Sequence, residues 1–351
     1  MNLNLPHLQY YSVLARLPQF ALARASNFRI TPRPVMLVWE CTYRCPSRCV
    51  SCSRWQTTTG PELPTSDARR LIAAARLAGV RFFVFSGGDP VMRGDITELG
   101  RYARSLGMMT VLCTTGLLIT QHNADALMAA FDVFELPVDS LHAEINDKLR
   151  GRPGILERTL QALDLLATRR EARHGIEITS VVRGCNCSEM GNINRHFAPR
   201  GFVTAMQPIH QGIYGAMADD DSAWAREVDG EWQRMVDEYV WHDPFSRWAL
   251  TPFFRQIPRF IVAPESLRHT YRCFAGSYIV FVDPTGDVRL CEGHRRVLGN
   301  IRTRGLQEIW QEMRPLRQWV TSTQRDCDCW LLCTTPPSIA LSAASRYCGR
   351  R

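Results

Sequence analysis

Cys45-Pro-Ser-Arg-Cys49-Val-Ser-Cys52 places three thiols within eight residues. Thiolates this close on one loop are ligands for an iron–sulfur cluster or for zinc, since both metals accept sulfur and the metal itself acidifies the thiol. A structural zinc site usually shows two Cys-x-x-Cys pairs well separated in sequence. Here only Cys49 and Cys52 have that spacing, and Cys41 sits four residues before Cys45. The chain has 13 cysteines in 351 residues, and six of them (Cys273, Cys291, Cys327, Cys329, Cys333 and Cys348) fall from residue 273 onward. Small buried hydrophobes account for one or two such thiols but not for six. Cys113 reads as one of these buried hydrophobes, and Cys185-Asn186-Cys187 forms a third small group after an apolar run. His142, His210 and His294 have no spacing that assigns them a role.

The elements that must position these thiols are legible as alternating patterns. Residues 35–39, 80–85, 109–113, 133–138, 176–182 and 202–208 read as buried strands. Between them, 65–77, 96–106, 124–130, 156–169 and 188–197 read as amphipathic helices, the first with Thr65-Ser66-Asp67 as capping residues. Six βα units in succession require a parallel sheet with right-handed crossovers, rolled into a barrel or left open. Ligand chemistry in such folds sits at the C-terminal ends of the strands. The Cys45–Cys52 loop, Ser86-Gly87-Gly88-Asp89-Pro90 and Thr114-Thr115-Gly116 all fall at those ends. Residues 216–265, rich in Trp, Asp and Pro, read as helices and a connector. Residues 278–282 and 288–291 flank the turn Asp283-Pro284-Thr285-Gly286-Asp287 as a hairpin, followed by a helix over 306–313 and the cysteine-rich tail.

Lys+Arg 42 against Asp+Glu 34 gives a net charge of +8, with arginine spread along the whole chain. A clustered basic stripe interleaved with aromatics is missing, which argues against nucleic acid as a partner. No apolar run approaches the roughly 18 residues a membrane helix needs, and residues 1–28 lack the pattern of a secretory signal. A cytoplasmic location is therefore expected, where thiols serve metals before disulfides.

Residues 35–215 resemble the radical S-adenosylmethionine (SAM) superfamily. The Cys-x3-Cys-x2-Cys loop after the first strand resembles its signature, and Trp39-Glu40-Cys41-Thr42 resembles the lead-in of its subgroup acting on peptides and tetrapyrroles. The resemblance implies a partial (β/α)6 TIM-like barrel in which Cys45, Cys49 and Cys52 hold three irons of a [4Fe–4S] cluster. The fourth iron then chelates the amino and carboxylate groups of SAM, and one-electron cleavage gives a 5′-deoxyadenosyl radical that abstracts hydrogen from a substrate. Gly87-Gly88-Asp89-Pro90 resembles the Gly-Gly-Glu-Pro motif that binds the methionyl amino group. Thr115 stands where the family has the asparagine of Thr-Asn-Gly, Ser140 where a serine contacts the ribose, and Arg183 where polar groups meet the methionyl or ribose part. Gln207-Pro208 to Gly215 resembles the segment beside the adenine. Ser51 departs from the usual aromatic before the last cysteine, so adenine packing must come from elsewhere; Pro46 and Asp89 also depart from the common residues.

Cys273-x12-Gly286-x4-Cys291, with Gly299-Asn300-Ile301 and Leu306 to Trp310 after it, resembles the opening of the twitch and SPASM auxiliary-cluster modules. A full SPASM module carries seven cysteines and two clusters, but Val320 and Thr323 occupy two of the matching positions here. The resemblance thus implies the shorter arrangement: one auxiliary [4Fe–4S] cluster on Cys273, Cys291, Cys329 and Cys333, with Cys327 as the substitute ligand. The expected organisation is an extension over 1–34, a radical SAM core over 35–215, a helical connector over 216–265 and a small α+β iron–sulfur domain over 266–351. An external electron donor such as flavodoxin or ferredoxin follows from the same resemblance. A small natural-product substrate is expected over a ribosomal peptide, because the residues before the first strand include Pro6, Pro18, Pro32 and Pro34 and suit no leader-binding sheet. Peptide maturation, tetrapyrrole modification and aminocarboxypropyl transfer from SAM stay open. A zinc or electron-transfer protein without chemistry of its own is the rival in another class, and the βα core with its Gly-Gly-Asp-Pro and Ser140 positions speaks against it.

Overall fold

The computed structural model describes residues 15–210, 219–293, 296–322 and 326–348. His294, Thr323 and the 211–215 part of the sixth-strand exit lie outside the described residues.

Six strands alternate with helices as the apolar runs require. They are β1 (Met36–Thr42), β2 (Phe82–Gly87), β3 (Met109–Cys113), β4 (Val133–Pro137), β5 (Gly175–Val182) and β6 (Val203–Pro208), all parallel in sequential order. They form the partial (β/α)6 barrel. One sheet face packs Leu37, Trp39, Phe83, Phe85, Leu112, Phe134, Leu136 and Ile178 in a core of apolar side chains shared with the helices. The opposite face carries Met36, Val38, Phe82 and Val84 in a second core. Toward the C-terminal strand ends the same alternation puts Glu40, Ser86, Cys113, Glu135, Glu177 and Thr179 on this second face.

The hairpin of the C-terminal part extends this sheet. β7 (Ile279–Val282) pairs in parallel with β1, and β8 (Asp287–Arg289) and β9 (Val297–Asn300) continue antiparallel, giving one nine-stranded sheet. Pairing with β7 covers the edge that β1 would otherwise leave open. The hairpin turn is set by Asp283, whose Oδ1 accepts from Thr285 N–H, the Thr285 hydroxyl and Asp287 N–H.

Two local features depart from the sequence reading. The helix Thr65–Ala78 starts after Pro64 with no side-chain cap; the Thr65 hydroxyl instead donates to Asp95 Oδ2 at 2.8 Å. A helix at Ala143–Arg150, between β4 and the helix Ile155–Thr168, has no counterpart in the expected pattern. It buries only Asn146 and Leu149, so it lacks the apolar stripe that reveals a helix in sequence. Over 216–265 the described elements are the helices Asp219–Glu227, Asp229–Asp237, Pro244–Arg255 and Ile257–Val262. No helix among the described residues is long and apolar enough to cross a membrane.

Candidate functional site

The loop after β1 crosses the strand ends and is held from two sides. On one side, Gly88 N–H donates to Thr42 O at 2.7 Å and Asp89 N–H to Arg44 O at 2.9 Å. A Cβ on Gly88 would stand 2.3 Å from Arg44 O, so this contact is open only to glycine. On the other side, Arg48 N–H and Val50 N–H donate to Arg150 O and Leu149 O at the end of the Ala143–Arg150 helix. That helix ends on Gly151 at φ +65°, where a Cβ would lie 2.0 Å from Arg48 O. Clamped in this way, Cys45, Cys49 and Cys52 open onto one cavity shared with Gly87, Gly88 and Thr115.

Burial pushes the Cys45 thiol up to about 12 and raises Cys52 as well. The Arg150 guanidinium lies beside Cys49 and is held by Asp139 at 2.7 Å, whose Oδ1 also takes Val181 N–H at 2.8 Å. Arg150 Nε and the Ser47 hydroxyl both line the cavity, buried and without a hydrogen-bond partner. Three thiols and two unmet donors around one cavity suit an anionic group with a carboxylate-bearing molecule beside it. Arg54, two residues after Cys52, bridges Glu40 at 2.6 Å and Glu292, tying this loop to the residue after Cys291. Burial and the neighbouring Glu292 push Glu40 up to about 8, against the pull of Arg54.

The residues expected to contact SAM divide into two groups. Gly87, Gly88 and Thr115 line the cavity, whereas Asp89, Pro90, Ser140 and Arg183 do not. The fully buried Asp89 carboxylate accepts from Val91 N–H, Thr115 N–H and the hydroxyls of Thr114 and Thr115, so it holds the β3 exit in place. Ser140 is also fully buried, accepting from His142 N–H and donating to Glu189. Arg183 forms a two-pronged pair with Asp221 at the start of the first connector helix. Cys185 is exposed and Cys187 donates to Gly184 O; neither lines the cavity. Cys113 does line it, which corrects its reading as a plain core residue. Arg54, Arg150 and Glu135 carry no mark in the sequence; an isolated arginine or carboxylate has no spacing that marks it.

The second thiol group assembles where the tail folds back over the strand ends. Burial raises Cys291, with Cys329, Cys273 and Cys327 as the neighbours that add to the shift. Burial raises Cys333 in the same way, with Glu292, Cys329 and Glu135 beside it. No disulfide joins the cysteines of the described residues. Trp330 N–H donates to His210 Nε2 at 2.8 Å and its indole N–H to Phe253 O at 2.9 Å, which anchors the tail to the β6 exit and to the connector. Cys273, Cys327 and Cys329 neighbour Cys291, and Cys329 neighbours Cys333; thiols so gathered match the donor chemistry of a cluster held by thiolates.

A parallel βα barrel with a cysteine loop across its strand ends and a second thiol group over its mouth defines an iron–sulfur enzyme of the barrel type. Residues 39–179 match the model of the radical SAM superfamily, and residues 273–334 match SPASM, an iron-sulfur cluster-binding domain. The chain is a radical SAM enzyme with a C-terminal SPASM-type domain, working with SAM, a [4Fe–4S] cluster and auxiliary iron–sulfur chemistry. It is 29% identical over 311 residues to the AdoMet-dependent heme synthase of Methanosarcina barkeri, covering 82% of this chain and 85% of that protein. It is likewise 29% identical over 294 residues to the mycofactocin maturase MftC of Mycolicibacterium smegmatis, covering 81% and 72%. In fold it is similar to Streptococcus suis SuiB bound to its precursor peptide SuiA, with a TM-score of 0.64 at 17% identity, over 91% of this chain and 74% of that one.

Proposed function

We propose that Cys45, Cys49 and Cys52 hold the SAM-binding cluster, and that Cys273, Cys291, Cys329 and Cys333, with Cys327 adjoining, hold one auxiliary cluster over the same cavity. When bound, the first cluster and SAM supply a 5′-deoxyadenosyl radical for hydrogen abstraction. The chain's own residues prepare the site: Gly88 and Gly151 fix the cysteine loop, and Asp139 orients Arg150 beside Cys49 so that its free Nε meets an anionic ligand. Thr115 and the glycine backbone shape the floor beneath that ligand, and Arg54 ties the two cysteine regions together. The observation that carries this reading is the shared cavity, onto which Cys45, Cys49, Cys52, Cys113 and Glu135 all open while Glu135 also neighbours Cys333. The substrate we assign is a small natural-product scaffold received in that cavity. Modification of a peptide is the second reading, favoured by similarity to a mycofactocin maturase and to SuiB.

Anaerobic reconstitution tests the ligand assignment. Cys45→Ala, Cys49→Ala and Cys52→Ala each abolish SAM cleavage, whereas Cys41→Ala, buried within β1, leaves it intact. Wild type holds roughly eight irons and a Cys329→Ala/Cys333→Ala double variant roughly four, since a [4Fe–4S] centre uses about four thiolates. A wild type saturating near four irons overturns the auxiliary-cluster assignment.

A further inference from the structure

Arg54 stands where the two cysteine regions meet. Its backbone N–H donates to Cys52 Sγ at 3.5 Å, and its side chain leaves that loop for the C-terminal part of the chain. Nε donates to Glu40 Oε1 at 2.6 Å and Nη2 to Glu292 Oε1, while the guanidinium lies 5.1 Å from the Tyr43 ring centre. Tyr43 in turn donates to the second oxygen of Glu40 at 2.9 Å. Glu292 directly follows Cys291 and also stands beside Cys333. The side chains of Arg54, Glu40 and Glu292 are only 13%, 6% and 7% exposed. An ion pair this dry is a poor stabiliser: taking both charges out of water offsets most of their attraction, and apolar side chains of similar size often hold two elements together as well. A pair joining residues 238 positions apart on those terms points to a use of the charges themselves. Its positive end adjoins one thiol group and its negative end the other.

We propose that Arg54 and Glu292 are a positioning pair that biases the electron shared between the two clusters toward the SAM-binding one. The potential of an iron–sulfur cluster follows the charge and hydrogen bonding around its sulfurs, and charges reach further in a dry region. The Arg54 guanidinium favours an added electron on the cluster of Cys45, Cys49 and Cys52. The Glu292 carboxylate disfavours it on the cluster of Cys291 and Cys333. One electron delivered by the external donor is thereby drawn to the cluster at which SAM is cleaved. Arg54 and Glu292 act through the thiolates beside them. This inference rests on the proposed ligand assignment of both clusters and goes beyond it to how the electron divides between them.

The test is an EPR-monitored redox titration of the reconstituted holoenzyme, with dithionite supplying one electron per cluster. SAM added to a reduced, freeze-quenched sample alters only the signal of the cluster it binds, so the unaltered signal belongs to the auxiliary cluster. Glu292→Gln keeps side-chain size and raises the auxiliary potential by about tenfold in the reduction equilibrium, about 59 mV. Arg54→Met keeps the reach without the charge and lowers the potential of the SAM-binding cluster by about the same factor. Arg54→Lys restores the charge and returns that potential to within about twofold of wild type, about 18 mV. Arg69→Met, on the outer face of the helix Thr65–Ala78, leaves both potentials as in wild type. A tie that is merely structural behaves differently: loosening it admits water at both clusters, which favours the more highly charged reduced state and raises both potentials in either variant. Shifts of the same sign in Glu292→Gln and Arg54→Met, or shifts under about twofold in both, overturn the proposal. Where Arg54→Met loads less iron than wild type, Glu292→Gln decides alone, and an auxiliary potential that rises no more than that of the SAM-binding cluster overturns it. Iron content separates the two questions. A wild type near four irons loses the auxiliary cluster and this bias together, whereas one near eight irons that ignores both substitutions keeps its clusters and loses only the bias.

Discussion

Asp89 offers the sharpest test of how the site is built, because a ligand-binding role and a loop-holding role predict different losses. Its Oδ1 accepts from Val91 N–H at 3.1 Å and the Thr114 hydroxyl at 2.9 Å, and its Oδ2 from Thr115 N–H at 3.1 Å and the Thr115 hydroxyl at 2.6 Å. Asp89→Ala frees the two hydroxyls to turn, but it leaves two backbone N–H groups buried without acceptors. At about 1–3 kcal/mol for each orphaned donor, the loss is about 4 kcal/mol. With roughly 2 °C of Tm per kcal/mol for a large domain, the melting temperature falls by about 8 °C. Asp89→Asn loses about half as much. Each oxygen receives one backbone N–H, so either orientation of the amide sets its NH2 against a donor. Thermal denaturation of the reconstituted variants, read beside SAM affinity by equilibrium dialysis, decides the matter. A variant that melts within about 2 °C of wild type, a shift of about 1 kcal/mol, yet fails to bind SAM would show that the carboxylate serves the ligand and that this reasoning is wrong.

Gly151→Ala puts a methyl group 2.0 Å from Arg48 O at a φ of +65°, so the cysteine loop must shift. Reconstituted iron should fall by about four atoms per chain while the auxiliary cluster's EPR signal persists; a full iron complement would refute the clamp. Burial lowers His210 from 6.5 to about 4, so the native state keeps it neutral where the unfolded chain protonates. Its stabilising contribution is therefore full above pH 6.5 and fades as pH drops toward 4, by up to about 3 kcal/mol. Urea midpoints against pH should show that fall in wild type and a flatter profile in His210→Gln, and parallel profiles would count against it. Cys113→Ala removes the donor to Glu135 Oε2, and its stability cost should stay near about 1 kcal/mol because Thr179 still serves the other oxygen. A loss several times larger in chemical denaturation would mean that Cys113 carries more of the strand-end packing than its one bond indicates.

The barrel was legible in the sequence because its causes are local. The apolar run 80–85 overlaps β2, whose residues 82–85 are all buried, since burial on both faces of a parallel strand demands an unbroken hydrophobic run. The order of the loops was legible as well, because a βα repeat delivers every odd-numbered turn to the same end of the sheet. The repeat alone therefore sets Cys45–Cys52, Gly87-Gly88 and Thr114-Thr115 side by side. What each of these residues does once there was not legible. Asp89 looks like a ligand in sequence, and only the fold turns its carboxylate back onto Thr114 and Thr115. Arg150 sits on a helix with no apolar stripe and becomes notable only because Asp139, eleven residues away, points it at Cys49. The bond between Trp330 and His210 spans 120 positions, and the pairing of β7 with β1 spans more than two hundred. Such contacts depend on which edge and which mouth remain open after the core has closed, a property of the whole packed chain and of no segment in it.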